Sequence, residues 1–361
     1  MRESAIVVLL FCFSLLFCGC DLWMDGNYYS YEPHLEENAP LDQESIEVLS
    51  YNGLRDALVE LVEDGTQKTV IYISGFTPDQ LESYMSRAVK NVTQLNAVGA
   101  YAVESISYEI GTTGGKPAIA VEIAYVHSRS EILRIKQTKT MEEAVNVITA
   151  ALDNCDAGVV LKVDAYDPVD FTQLVQDYMD TNPHSCMEMP QVTATLYPEK
   201  GAQRVIEISF TYQTSRDVLR SMQKTVEPIF DSARLYVSTD AEDWQKYSLL
   251  YAFLMERYDY KEEISITPTY SLLRHGVGDS KAFAVVYAAM CRQAGLNCQV
   301  VSGTKAGEAW CWNILQVEGV YYHVDLLQCS RSGGFSAKLD DQMSGYVWDY
   351  SAYMKEPVTT E

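Results

Sequence analysis

Hydrophobic positions along the chain fall into a small set of patterns that recur in the same order. Leu54, Leu58, Leu61 and Val62 lie on one side of a helical period, and Ala144, Ile148, Ala151 and Leu152 do the same about 90 residues on. Each predicted helix is followed by a short β-rich run, Val70–Ile73 or Val160–Val163. A turn then carries Pro78 or Pro168, which predicts the first turn of a second helix, where a missing N–H costs nothing. Two strand-like runs close each set: Tyr101–Ile110 with Pro117–His127, and Val192–Tyr197 with Arg204–Tyr212. Gly114-Gly115 and Glu199-Lys200-Gly201 between them predict hairpins. Each set reads helix–strand–helix–strand–strand, a small α+β module.

From Ser238 the pattern changes. Trp244, Tyr247, Leu250, Tyr251 and Leu254 predict a helix within Asp240–Tyr258. A second helix is predicted after Gly278 and ends at Ala294-Gly295, with Gly295 as its C′ residue. Strands are predicted at Cys298–Ser302, Trp310–Val317 and Val320–Leu326, the last two joined by a turn at Glu318-Gly319.

At the other end, Ala5–Phe17 is apolar except for Ser14 and follows Arg2, as in the apolar region of a secretory signal. The run ends Phe17-Cys18-Gly19-Cys20, which resembles the bacterial lipoprotein signal, with Gly19 as the small residue and Cys20 as the lipidated one. Phe17 departs from the aliphatic residue usual at its place. Asp21 to Glu44 is acidic without apolar period and reads as a tether. The resemblance implies export and a lipid anchor on the outer face of the cell membrane.

Charge narrows the partners. Lys and Arg number 27 against 50 Asp and Glu, a net charge of −23. Removing residues 1–19 takes one Arg and one Glu and leaves the balance unchanged, so the acidity belongs to the exported part. Such a field repels phosphate and excludes nucleic acid as an expected partner. It also disfavours a docked anionic envelope polymer. No CxxC pair and no Cys/His cluster has metal spacing, and no cofactor motif is present, so neither metal nor cofactor is expected. Beyond Cys20 six cysteines remain, Cys155, Cys186, Cys291, Cys298, Cys311 and Cys329, whose pairing the sequence leaves open. His127 and His184 stand alone and read as ordinary surface or strand residues.

The C-terminal motifs resemble the transglutaminase-like core, a papain-like α+β fold. They are Gly278-Asp279-Ser280, Phe283-Ala284, Ala294-Gly295-Leu296, Trp310-Cys311-Trp312-Asn313, Tyr321-Tyr322-His323-Val324-Asp325, and the closing segment Asp340–Asp349. In that family a Cys at a helix N-terminus, a His and an Asp form the triad. Carried over residue by residue, the Cys position holds Ser280, the His position Trp310, and only Asp325 is retained. Serine needs an adjacent base, and indole only donates. Ser280 therefore reads as a helix N-cap, and Trp310 either as a core residue filling the cleft or as an anchor for a ligand. The alternative is an active serine-variant hydrolase or acyl transferase using Ser280 with His275 or His323.

The expected organisation is a signal peptide (1–19), an acidic tether (20–44), α+β modules at 45–139 and 140–237, and a degenerate transglutaminase-like domain at 238–357. The expected function is a cell-surface lipoprotein whose inactive domain binds peptide, protein or a cell-envelope component.

Overall fold

The computed structural model describes residues 46–353 apart from 263 and 264. The expected signal peptide, Cys20 and the tether lie outside the described residues.

Two four-stranded sheets share one strand order. The first is built from β1 (Ile46–Val48), α1 (Tyr51–Glu63), β2 (Lys68–Ile73), α2 (Pro78–Gln94), α3 (Ala97–Ala102), β3 (Val103–Thr113) and β4 (Lys116–Tyr125), in the order β1-β2-β4-β3. After the short α4 (Arg129–Ile132), the second uses β5 (Lys136–Thr140), α5 (Met141–Asp153), β6 (Gly158–Ala165), α6 (Phe171–Thr181), β7 (Gln191–Tyr197) and β8 (Arg204–Thr211), in the order β5-β6-β8-β7.

Local chemistry fixes the helix starts. Ser50 caps α1 by accepting from Gly53 N at 3.1 Å. Thr77 and Gln80 cap each other's main chain at the start of α2. On the second sheet, Leu161, Val163, Ile206 and Ile208 are buried against Ala144, Ile148 and other residues of α5 and α6. This is the half-buried alternation of a sheet with helices on one face.

Four features depart from the expected pattern. Each sheet begins with an extra strand. The sequence of β5, Lys-Gln-Thr-Lys-Thr, has no apolar alternation, yet Thr138 is buried and donates to Lys162 O at 2.9 Å. The 139/140 boundary falls inside this strand. Tyr101 and Ala102 end helix α3 rather than opening a strand. Pro168 precedes the N-cap Asp170 of α6 and lies outside that helix.

The third sheet has the order β13-β12-β11-β14, from β11 (Cys298–Lys305), β12 (Glu308–Val317), β13 (Val320–Val324) and β14 (Tyr346–Trp348). Around it lie α7 (Arg216–Tyr236), α8 (Asp243–Met255), α9 (Pro268–His275), α10 (Ser280–Gln293), α11 (Leu326–Arg331) and α12 (Tyr350–Tyr353), with β9 (Asp259–Tyr260) and β10 (Val277–Gly278) as a small parallel pair. Helix α10 is buried on all sides from Ala282 to Cys291, the mark of a central helix. Gly295 has φ +76° and takes the left-handed turn that ends it, as expected.

Helix α7 was not anticipated. Its Leu219, Val226, Phe230 and Ala233 share one core with Leu250 of α8, Phe283 and Val286 of α10, and Leu315 of β12. The 237/238 boundary thus falls at the end of a helix that packs into the C-terminal core.

Candidate active site

Ser280, Trp310 and Asp325 come together where α10 starts against β12. The N-cap of α10 is Asp279, whose carboxylate accepts from Ala282 N at 2.8 Å. This corrects the reading of Ser280 as the cap: it is the first helical residue. The cap goes to Asp279 because its carboxylate reaches the N–H three residues on and also complements the helix dipole. Ser280 is buried, and its Oγ accepts from the main-chain N–H of Cys311 at 3.2 Å.

Residues of β12 alternate between two faces. Asn313 Nδ2 donates to Ala284 O of α10 at 2.8 Å, so Cys311, Asn313 and Leu315 face that helix. Trp310, Trp312 and Ile314 leave on the other face, where Trp312 and Ile314 pack with Val301 and Met343. Cys311 and Trp310 therefore lie on opposite faces of β12.

Trp310 Nε1 donates to Asp325 Oδ2 at 2.9 Å. Its ring lies 5.7 Å from that of Tyr260, with Lys305 Nζ 4.9 Å from its centre. Asp325 caps α11 by accepting from Gln328 N at 3.0 Å. Its Oδ2 also accepts from Lys305 Nζ at 2.8 Å and Tyr346 Oη at 2.6 Å. Burial and the Asp325 carboxylate push the Tyr346 hydroxyl well above its usual range, so it stays a donor. The cavity beside Asp325 is about 20 Å³, roughly the room for one water.

Lys305 and Tyr346 were missed by sequence reasoning. They are register partners on β11 and β14, a pairing invisible until the sheet is formed. Tyr346 does lie in the closing segment.

Neither histidine reaches Ser280. His323 pairs with Ile314 across β12 and β13, so it faces away from α10. It is buried, with Nδ1 accepting from Trp312 Nε1 at 2.9 Å and Nε2 at 2.8 Å from Asp340 Oδ1. That arrangement fits the neutral ring with its proton on Nε2. Burial lowers its pKa, partly opposed by Asp340. Asp325 is the residue after β13 and caps α11, apart from the strand that carries His323. His275 is exposed at the end of α9 and packs edge-on to Tyr270. Among the described residues no hydrogen bond joins either histidine to Ser280.

All six cysteines of the described part are free. Burial pushes the Cys311 thiol up, and Cys291 and Cys186 further, the reverse of an activated nucleophile. Helix α6 sits beside the site. Asp180 pairs with Lys281 at 3.1 Å, and Arg292 donates to Thr181 O at 2.7 Å. Among the described residues no group of three His, Cys, Asp or Glu could hold a metal, and no helix is long and apolar enough to cross a membrane.

A central buried helix whose N-terminus meets an antiparallel sheet defines the class, α+β of the transglutaminase-like type. Residues 232–336 match the model of the transglutaminase-like superfamily, so this part of the chain is a transglutaminase-like domain. A search of curated proteins found no match. Among solved structures, the chain is similar to a transglutaminase ("TGase") crystal structure at 10% identity and TM-score 0.26, covering 60% of this chain and 63% of that one. It is also similar to a proposed cysteine protease from Cytophaga hutchinsonii at 9% identity and TM-score 0.25, covering 44% of this chain and 70% of that one. A proposed protease from Parabacteroides distasonis matches at 10% identity and TM-score 0.24, covering 71% of this chain and 39% of that one. The chain thus spans less than two thirds of the first and third.

Proposed function

We propose that the transglutaminase-like domain is a non-catalytic binding domain of a lipoprotein exported to the cell surface and anchored through Cys20. The observation that carries the reading is the hydrogen bond from Trp310 Nε1 to Asp325. It fills the position of a base with a group that can only donate. Two further facts support it. Ser280 Oγ is engaged by the Cys311 main chain, and no imidazole hydrogen-bonds to it among the described residues. A helix N-terminus contributes at most about 2 kcal/mol, too little to ionise a serine without a base. Peptides and proteins are the ligands this reading favours. Export and anchoring rest on the apolar run before Gly19-Cys20.

The test is a set of amidase, protease and transglutaminase assays on the wild type and Ser280→Ala. The expected result is no turnover in either. Turnover that Ser280→Ala abolishes would overturn the reading. Labelling with a palmitate analogue, lost in Cys20→Ala, checks the anchor.

A further inference from the structure

A cavity of about 800 Å³ opens beside the second sheet, far from small for a ligand site, which typically spans roughly 300–1,000 Å³. Its wall includes Gly158, Val159 and Val160, the first three residues of β6. These have a strand on one side only. On that side β8 runs past all three, with Gly158 opposite Ser209 and Val160 opposite Glu207. On the other side β5 begins its parallel pairing at Lys136, opposite Leu161. Among the described residues no strand pairs with this side of 158–160. A strand presents N–H and C=O groups to both edges, so the cavity is lined by an open main-chain edge.

The other walls suit an extended chain with a carboxylate. Val147 and Ala151 of α5 offer apolar surface, and Tyr101 stacks on His127 with centroids 4.0 Å apart. The acids are largely engaged: Glu131 with Ser128 at 2.6 Å, Asp156 with Arg216 at 2.7 Å, and Glu207 with Tyr197 Oη at 3.3 Å. Arg134 and Lys136 are exposed and make no close ion pair among the described residues, although Arg134 lies near enough to Glu131 to help the Ser128 hydrogen bonds lower its pKa. The lining also carries Glu131, Asp156 and Glu207, of which Asp156 is paired with Arg216, so Arg134 and Lys136 are a basic spot where the open edge ends rather than a basic cavity. Direction agrees as well. A strand added parallel to β6 ahead of β5 would end where β5 starts, at Lys136.

We propose that a short extended peptide with a free C-terminal carboxylate adds as a strand to the edge of β6 at Gly158–Val160, its carboxylate held by Arg134 and Lys136. The mode is strand addition, in which main-chain hydrogen bonds give affinity and the flanking groups select the ligand. It does not depend on the inactivity proposed above, because none of these residues lies within 232–336.

The probe is acetyl-Thr-Val-Thr-Val with a free carboxylate, titrated into the full chain by calorimetry, with amide exchange read in parallel. Saturable binding is expected, with slowed exchange at Gly158–Val160. The C-amide and the variant Arg134→Gln/Lys136→Gln should each weaken binding by about tenfold or more, since hydrogen bonds between charged groups are the strong ones. A backbone N-methylated peptide should not bind, and Val147→Trp should block the cavity while the circular dichroism stays native. Absence of saturable binding overturns the proposal. So does binding of the amide or the N-methyl peptide as tightly as the parent, or protection confined to residues 232–336.

Discussion

Asp325→Asn is the substitution that most directly probes the site. The carboxylate is 5% exposed and Lys305 beside it 20%. Oδ2 collects Lys305, Trp310 and Tyr346, while Oδ1 caps α11 through Gln328 N. An amide keeps one acceptor and adds a donor, so whichever way it turns it faces existing donors. Breaking a buried pair by removing one charge costs about 3–5 kcal/mol, and each buried donor left unmet about 1–3 kcal/mol. Lys305 keeps a second partner, Gln328 Oε1 at 3.1 Å, and part of its solvent. The expected cost is therefore near the lower end, about 3 kcal/mol. At about 2–4 °C per kcal/mol this lowers the Tm by about 6–12 °C. Near-UV circular dichroism during thermal unfolding reads it, because Trp310, Trp312 and Trp348 surround the network. A double-mutant cycle with Lys305→Met isolates the pair. Removing both charges spares the orphaned ammonium, so the double variant should be about 1–3 kcal/mol better than the sum of the singles. A loss under about 1 kcal/mol for Asp325→Asn, or additive singles, would refute the view that a buried ion pair holds this corner together.

Two further outcomes follow from the same geometry. Trp310→Phe keeps a ring against Tyr260 and deletes the N–H to Asp325, so it should cost about 1 kcal/mol, or about 2–4 °C in Tm; an unchanged Tm would mean that the indole hydrogen bond contributes nothing. His323 has a folded pKa below its unfolded value, so the stability tied to its neutral ring is complete above the unfolded pKa and is lost as pH falls through the folded one. Stability should therefore drop from pH 7 to pH 5, and His323→Gln, which can accept from Trp312 and donate to Asp340 without titrating, should flatten that drop in chemical denaturation curves measured at both pH values.

Much of the C-terminal architecture was legible because buried helices and strands write their period into the sequence. The motif from Gly278 to Asp325 located α10, the hairpin and all three aligned positions. What escaped was set by pairing rather than pattern. Strand β5 carries no apolar alternation, since it is an edge strand held by main-chain bonds and by Thr138. Helix α3 was hidden because Ala97–Ala102 is too short to show a period and Tyr101 suggested a strand. Pro228 sits inside α7 and masks a helix of 21 residues. At the site, Ser280 and Asp279 compete for the same cap, and composition alone does not say which wins. The two histidines stand in the sequence only as partners of Ser280 in the alternative, serine-variant reading. His323 is excluded by the faces of β12 and β13, which the register alone fixes, and His275 by its exposed place at the end of α9.

The network around Asp325 explains why a tryptophan is chemically tolerable where the family motif places histidine. A buried carboxylate needs its donors, and a small residue at position 310 would remove one of the four that Asp325 has. Trp310 supplies a donor and an apolar ring at once, while Lys305 and Tyr346 neutralise and bond the same oxygen. The aspartate that would orient an imidazole instead ties together four elements: β11 through Lys305, β12 through Trp310, β14 through Tyr346 and α11 through its cap. Placing His at 310 would set an imidazole against a carboxylate that Lys305 and Tyr346 still bond, and Ser280 would still meet β12 through the Cys311 main chain. On the non-catalytic reading proposed above, a catalytic arrangement would need the serine released and the aspartate relieved of lysine together, so no single substitution would supply it.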